Sequence, residues 1–340
     1  MPFRYTVCLL VPIVLLLFTS CAAARPAPAP SSATPPSDTA TAAPPPTPSA
    51  VPTLAPLSAE DFVFDQRFDV ADSLVQPYGV DVGPDGTLYL FDTGHQRVLR
   101  FAPDGSMLQS WGEKGEGEGQ FRSLGFGALA VDGEGNVFVV DNGNFRIQKF
   151  DREGKFLIAW GSEGEEAGQF TRAIGIAVDT AGHVYVTDDA VPYVQQFDNE
   201  GNFIRRWGGA GDGDGQFEHA TGMDVGSDGA IYVADYTKKQ VQKFDADGNF
   251  LLAWETGSDT SSRGTPEGIV VGPDGLIYVT DYVLGRIEQF TPAGEPLGVI
   301  GKFGSQDGSF IAPVDLAFTT DGQLIVSDQK RNAVQRFVPR

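Results

Sequence analysis

The sequence predicts an all-β chain folded as a six-bladed propeller of four-stranded antiparallel blades. Three observations carry this expectation. First, one pattern recurs from Pro77 to the last residue. Its closing aspartate falls at Asp92, Asp141, Asp188, Asp235, Asp281 and Asp328, so that copies are 49, 47, 47, 46 and 47 residues apart. A fixed period of this size marks a repeat array. Second, each copy holds short alternating apolar runs and no convincing helical period. Third, the sixth copy stops at Arg340, just after its third strand, while Asp61 to Val70 (DFVFDQRFDV) carries an unassigned strand pattern. That segment is expected to supply the missing strand and close the ring, pairing an edge that would otherwise stand open.

Taken in order, the chain begins with Arg4, an apolar run from Val7 to Phe18 and then small residues, the composition of a secretory leader. Leu17-Phe18-Thr19-Ser20-Cys21 resembles the bacterial lipobox, although leucine is usual where Phe18 stands. Residues 1–21 are therefore expected to form a signal peptide, with Cys21 as the lipidation site and the protein held outside the cytoplasm on a bacterial membrane. Cleavage after Ala24 into a secreted protein is the alternative. Residues 22–58 hold eleven prolines among Ala, Ser and Thr, with Arg25 and Asp38 as the only charges. Such a stretch cannot bury a core and is expected to be an extended tether reaching at most about 100 Å. The propeller is expected over 59–340. Its repeats run over about 76–121, 122–170, 171–217, 218–262, 263–310 and 311–340, the last completed by 61–70. The array contains no cysteine, Cys8 and Cys21 both preceding it, so no disulfide framework staples it and its core must suffice.

Within a copy, four runs are separated by turn chemistry. In the first they cover 79–82, 87–91, 98–101 and 106–111, with GPDG and APDG in the first and last gaps. Pro, Asp and Gly supply a preset φ, a side-chain acceptor and a positive φ for tight turns. Gly86, Gly135, Gly182, Gly229, Gly275 and Gly322 end the first turn of each copy. Much of the net charge of -21 resides in acidic residues of these turns. In the first strand, the alternating pairs Val80/Val82, Leu129/Val131, Ile176/Val178, Met223/Val225, Ile269/Val271 and Leu316/Phe318 are expected to pack between blades. The residues between them, Asp81, Ala130, Ala177, Asp224, Val270 and Ala317, are expected to point into the central channel. Trp111, Trp160, Trp207 and Trp254 recur in the fourth strand, with Ile300 in that place in the fifth copy; a repeated aromatic is read as packing.

Gly175-Ile176-Ala177-Val178-Asp179, Tyr185-Val186-Thr187-Asp188 and Asn144-Phe145-Arg146-Ile147-Gln148-Lys149-Phe150-Asp151 together resemble the NHL repeat. The likeness recurs six times in register over about 61–340. Ala128 and Asp315 replace its leading glycine, and Tyr193, Gln240 and Ala333 stand where Arg97, Arg146 and Arg286 sit in other copies. The resemblance implies a six-bladed propeller, but no single chemistry. Its members include extracellular ligand sensors, protein and RNA binders and a metal-dependent lyase of hydroxyglycine peptides.

Candidate site residues are those that break the repeat. Asp81 and Asp224 interrupt a small apolar pattern in opposite blades, and Tyr78, His219, Glu267 and Asp315 depart from it at the channel entrance. Tyr236 and Tyr282 follow the repeat aspartate, with Tyr193 expected nearby, as a group suited to a protein, peptide or glycan. The six repeat aspartates are read as acceptors that order loops. The acidic connections bearing Glu116, Glu118, Glu165, Glu166, Asp212 and Asp214 are read as solvated rather than calcium-binding. Three histidines (His95, His183 and His219) on different faces cannot assemble a three-His zinc site, and no nucleophile elbow is visible. The negative balance argues against nucleic acid as a partner.

The leading expectation is thus a non-catalytic, envelope-anchored recognition propeller without a catalytic residue or cofactor, touching the membrane only through its lipid. The alternative is a metal-dependent hydrolase, lactonase-like or lyase-like enzyme. In it a divalent cation such as calcium is held in the channel by Asp81, Asp224 and Asp315. For the address, replacing Cys21 with Ala is expected to release the protein from the membrane fraction to the soluble one on immunoblotting. Retention of the Cys21→Ala variant in the membrane fraction would remove the lipid anchor from the account.

Overall fold

The computed structural model describes residues 61–257 and 264–340, and the leader, Cys21 and the proline-rich tether lie outside the described residues. The described chain forms six four-stranded antiparallel sheets. Strands are lettered a to d from the axis outward. Blade 1 comprises Pro77–Val82, Leu88–Asp92, Arg97–Phe101 and Met107–Trp111. The next four repeat this meander, and blade 6 takes Pro313–Phe318, Leu324–Asp328 and Ala333–Pro339 from the C-terminus.

Its outer strand is Phe62–Arg67, paired antiparallel with Ala333–Pro339 from Phe62↔Pro339 to Arg67↔Gln335. The N-terminal segment therefore closes the ring, as the incomplete sixth repeat predicts. Phe62 is buried against Tyr278, Ile300 and Phe337, joining blades 5 and 6, and Phe68 packs edge-on to Phe101, 5.5 Å between centroids, joining the segment to blade 1.

The core lies between the blades. Ile176 and Val178 pack against blade 2 residues, whereas Ala177, one step along the same strand, packs against Met223, Ile231 and Val233 of blade 4. This corrects one expectation. The residues flanked by packing positions do not aim at the axis, because an innermost strand has one face towards the preceding blade and the other towards the following one. Asp81, Ala130, Ala177, Asp224 and Val270 nevertheless border the channel space together with their packing neighbours. Crowding there explains the leading glycine. A Cβ on Gly175 would run into the carbonyl of Thr221 in the next blade.

The strand d tryptophans have a comparable role at the rim. The indole of Trp111 lies against Gly154 of blade 2, and Trp160, Trp207 and Trp254 lie against Gly201, Gly248 and Gly294 in turn. Each covers the c-to-d turn of the following blade, where a Cβ would strike the indole. Blade 6 has no such turn, because its third and fourth strands come from opposite ends of the chain. Ile300 in place of tryptophan is the counterpart of that break and packs on Phe62 and Phe337 instead.

Deleting 61–70 should unpair Ala333–Pro339 and uncover two blade interfaces. The expected result is aggregation or a melting temperature lower by more than about 10 °C, since each kcal/mol is worth roughly 2–4 °C in a domain near this size. A truncated chain that melts with the parent in calorimetry would overturn the closure.

Candidate functional site

A carboxylate at the end of each strand b builds the face on which the site lies. Asp188 accepts the backbone N–H groups of Thr171 at 2.6 Å and Arg172 at 2.9 Å from the crossing that enters blade 3. It also accepts those of Ala190 and Val191, both at 3.1 Å, from the b-to-c loop. Asp235 does the same for Glu218, His219 and Lys238, and Asp328 for Ile311, Ala312 and Arg331. All six repeat aspartates are buried. Loop ordering, as the repetition suggests, is their role, and they also fasten each blade-to-blade crossing to the adjacent loop.

The crossings and loops enclose a basin of about 350 Å³ over the channel mouth. Its floor is the first ring of strand a residues. Tyr78 of blade 1, Ile174 of blade 3 and Val314 of blade 6 pack together there, with Phe126 and Tyr282 against them. Tyr78 is held by its carbonyl, which accepts the Ser327 hydroxyl at 2.6 Å, and its phenol donates to Oε1 of Glu267 in blade 5. Glu267 Oε2 has no hydrogen-bond partner among the described residues.

The walls bear two further polar pairs. Arg172 Nη2 donates to Asp189 Oδ2 at 2.9 Å and its Nε donates to Oδ1. His219 Nδ1 lies 2.6 Å from the Thr237 hydroxyl. Tyr236 and Tyr282 stand edge to face with centroids 6.4 Å apart, and Lys330 Nζ sits 4.8 Å above the Tyr282 ring.

Burial pushes the Glu267 carboxyl up to about 7; the Tyr78 bond opposes this and the Asp189 charge adds to it. The Tyr78 phenol is raised well above its ordinary range by burial and by the Glu267 charge. Asp189 is raised by burial, against the pull of its bonds to Arg172. A carboxyl that titrates near neutrality can take or give a proton at working pH.

Five of the sequence candidates thus meet in one basin: Tyr78, His219, Tyr236, Glu267 and Tyr282. Tyr193 does not join them, since its ring is covered by the Arg206 guanidinium 4.5 Å away and it lines a different, shallow crevice. Arg172, Asp189, Phe126, Thr237 and Gln329 are lining residues that sequence reasoning missed. Asp189 and Thr237 follow the repeat aspartate by one and two residues, a spacing that could have revealed them.

Asp81, Asp224 and Asp315 lie below the floor, around a channel space of about 80 Å³. Each joins two blades. Asp81 accepts Val82 N and Val131 N, both at 2.7 Å; Asp224 accepts Val225 N at 2.8 Å and Val271 N at 2.7 Å; Asp315 accepts Leu316 N and Val80 N at 3.0 Å. Both oxygens of each carboxylate are engaged in holding neighbouring strands together. No group of three or more His, Cys, Asp or Glu side chains suited to a metal occurs among the described residues. The donor set does not fit the channel cation of the metal-dependent alternative.

No family model matches the chain, and no curated protein does. Solved structures share its fold. A streptogramin B lyase is 14% identical, with 83% of this chain and 99% of that one covered at a TM-score of 0.60. A gluconolactonase from Xanthomonas campestris is 15% identical, covering 84% and 97% at 0.60. A catalytically inactive virginiamycin B lyase from Staphylococcus aureus, with quinupristin, is 16% identical, covering 81% and 85% at 0.58. At these identities the likeness establishes a six-bladed propeller. It also corrects the expectation of a non-catalytic scaffold, because these neighbours are enzymes.

The channel carboxylates predict a pH dependence. Burial raises Asp81 to about 7, against its two backbone bonds and with a contribution from Asp224, and raises Asp224 to about 6. An acid whose folded value lies above its unfolded value of about 4 stabilises the fold below the unfolded value. That contribution is lost as pH rises through the folded one. Thermal unfolding should therefore show stability falling between about pH 4 and pH 7, and falling less in Asp224→Asn. Equal slopes in the two proteins would sink this assignment.

Proposed function

We propose that the chain is a lactonase-like or lyase-like enzyme that breaks a carbon–oxygen bond of an organic ester in the face basin by acid–base chemistry. The observation that carries this reading is the Glu267 carboxyl, bonded to the Tyr78 phenol on the floor of an aromatic-walled basin and titrating near neutrality. Acid–base groups with perturbed values gathered in a concave site mark candidate catalysts. The names of the neighbouring structures, two lyases and a gluconolactonase, support the reaction class.

In hydrolysis, the ionised Glu267 takes a proton from water as the water oxygen adds to the ester carbon. The Arg172 guanidinium, held in place by Asp189, faces the charge that develops on the carbonyl oxygen. When the ester C–O bond breaks, His219 gives its proton to the departing oxygen, its ring fixed at Nδ1 by Thr237. In an elimination, Glu267 would take the proton from the carbon next to the one that bears the leaving oxygen. Neither route is drawn through a metal. Assignment of the blades to the NHL repeat and attachment to the cell envelope through Cys21 belong to the same proposal.

Glu267→Gln keeps the Tyr78 bond but removes the base, and should lower kcat/KM by about 100-fold or more. Tyr78→Phe should shift the pH–rate profile and cost less. The check is a panel of lactones and linear esters followed by chromatography for both acid and alkene products. Glu267→Gln activity equal to the parent on a substrate the parent turns over would refute the role of Glu267.

A further inference from the structure

The basin is asymmetric in charge. Arg172 is neutralised by the two bonds it donates to Asp189, and Lys330 is directed at the Tyr282 ring. Glu267 meets no cation: its one bond is to a neutral phenol, and its Oε2 has no partner among the described residues. A half-buried carboxylate on the floor of a basin is ordinarily matched by a cation or by several donors, and here no cation lies beside it.

The surroundings of Glu267 indicate what would complete it. Tyr78 lies beside it on the floor, Phe126 packs against that floor, and Tyr236 and Tyr282 rise from blades 4 and 5 edge to face, their planes 62° apart. Four aromatic rings around one unmatched carboxylate form the arrangement that attracts alkylated ammonium groups, through the negative faces of the rings and the low cost of desolvating a diffuse cation. The overall charge of -21 favours the approach of such a molecule. The titratable and charged groups that face Glu267 are Tyr78, Tyr236 and Tyr282, with His219 and the Arg172–Asp189 pair on the walls.

We infer that the substrate carries a cationic alkylammonium group, seated between Tyr236 and Tyr282 and paired with Glu267. This rests on the basin being the active site and adds the substrate class. Ion pairing would hold Glu267 ionised, the state the proposed base requires, so that binding of the cationic group would also prime the base.

The test uses two probes of the same shape on the purified chain, choline and its uncharged isostere 3,3-dimethylbutan-1-ol, titrated by calorimetry at about pH 8 and about pH 5.5. Choline should bind about tenfold more tightly than the alcohol at the higher pH and lose that preference at the lower one. Glu267→Gln should abolish the preference, and Tyr282→Leu should weaken choline binding while leaving the fold, followed by circular dichroism, unchanged. Equal affinities for the two probes, no binding of either, or a preference that survives in Glu267→Gln would each overturn the inference. An ester panel on the same preparation separates the two readings. Turnover of neutral esters with no preference for choline defeats the cation alone, and choline binding without turnover of any ester defeats the enzyme reading alone.

Discussion

The buried aspartate that ends strand b is the interaction on which the molecule depends. A carboxylate at this depth is tolerable only where donors meet it, and in blades 3 to 6 these are backbone N–H groups from two separate segments, while in blades 1 and 2 the loop's share passes to side chains, His95 and Arg97 on Asp92 and Asn144 and Arg146 on Asp141. One is the loop that follows the aspartate; the other is the crossing that arrived some seventeen residues earlier, as from Thr171 to Asp188. The same bond that fixes the blade therefore brings a crossing residue beside a loop residue. Arg172 meets Asp189, and His219 meets Thr237, for this reason. The polar pairs on the basin wall are by-products of the scaffold's own repeat, decorated differently in each copy.

Below that wall the molecule separates two environments. Tyr78, Ile174 and Val314 close the upper end of the channel, so the acids above and below them do different work. Glu267 retains an oxygen directed to the basin, whereas Asp81, Asp224 and Asp315 use both oxygens to tie adjacent inner strands together. Chemical type does not distinguish these carboxylates, all half-buried and all raised by desolvation. What distinguishes them is where the donors are.

Much of this was legible in the sequence because it repeats. The period gave the blade count, the alternation gave the strands, and the missing last strand pointed to residues 61–70. Departures from the repeat lead to Tyr78, His219 and Glu267, and the position after the repeat aspartate leads to Tyr236 and Tyr282. The reading failed where geometry is not carried by period. Strand alternation says that Asp81 and Val80 face opposite ways, but not that both faces of an innermost strand belong to neighbouring blades, so side chains that border the channel are also bound into the adjoining blade, as Asp81 is to Val131. Repeat position places Tyr193 near Tyr236 and Tyr282, yet it opens strand c and is covered by Arg206. Phe126 sits in the crossing of the longest repeat, where the copies do not align, and Arg172 holds the crossing position that His219 holds in the next copy, so the pair could have been read together. The basin's titratable groups were hard to foresee for a related reason: Tyr78, His219 and Glu267 come from three different blades, and no local motif joins them.

The indole-on-glycine contacts at the rim constrain how this ring could be recut. Each tryptophan is matched to an intact hairpin in the blade that follows, and the blade whose successor is split carries Ile300 instead. A circular permutant with new ends at, for example, the turn holding Gly201 would leave Trp160 facing loose termini. The native junction, rejoined, would form a hairpin with no aromatic lid. The location of the seam is thus written into the outer strands of the neighbouring blades, and moving it would require exchanging those side chains as well as the ends.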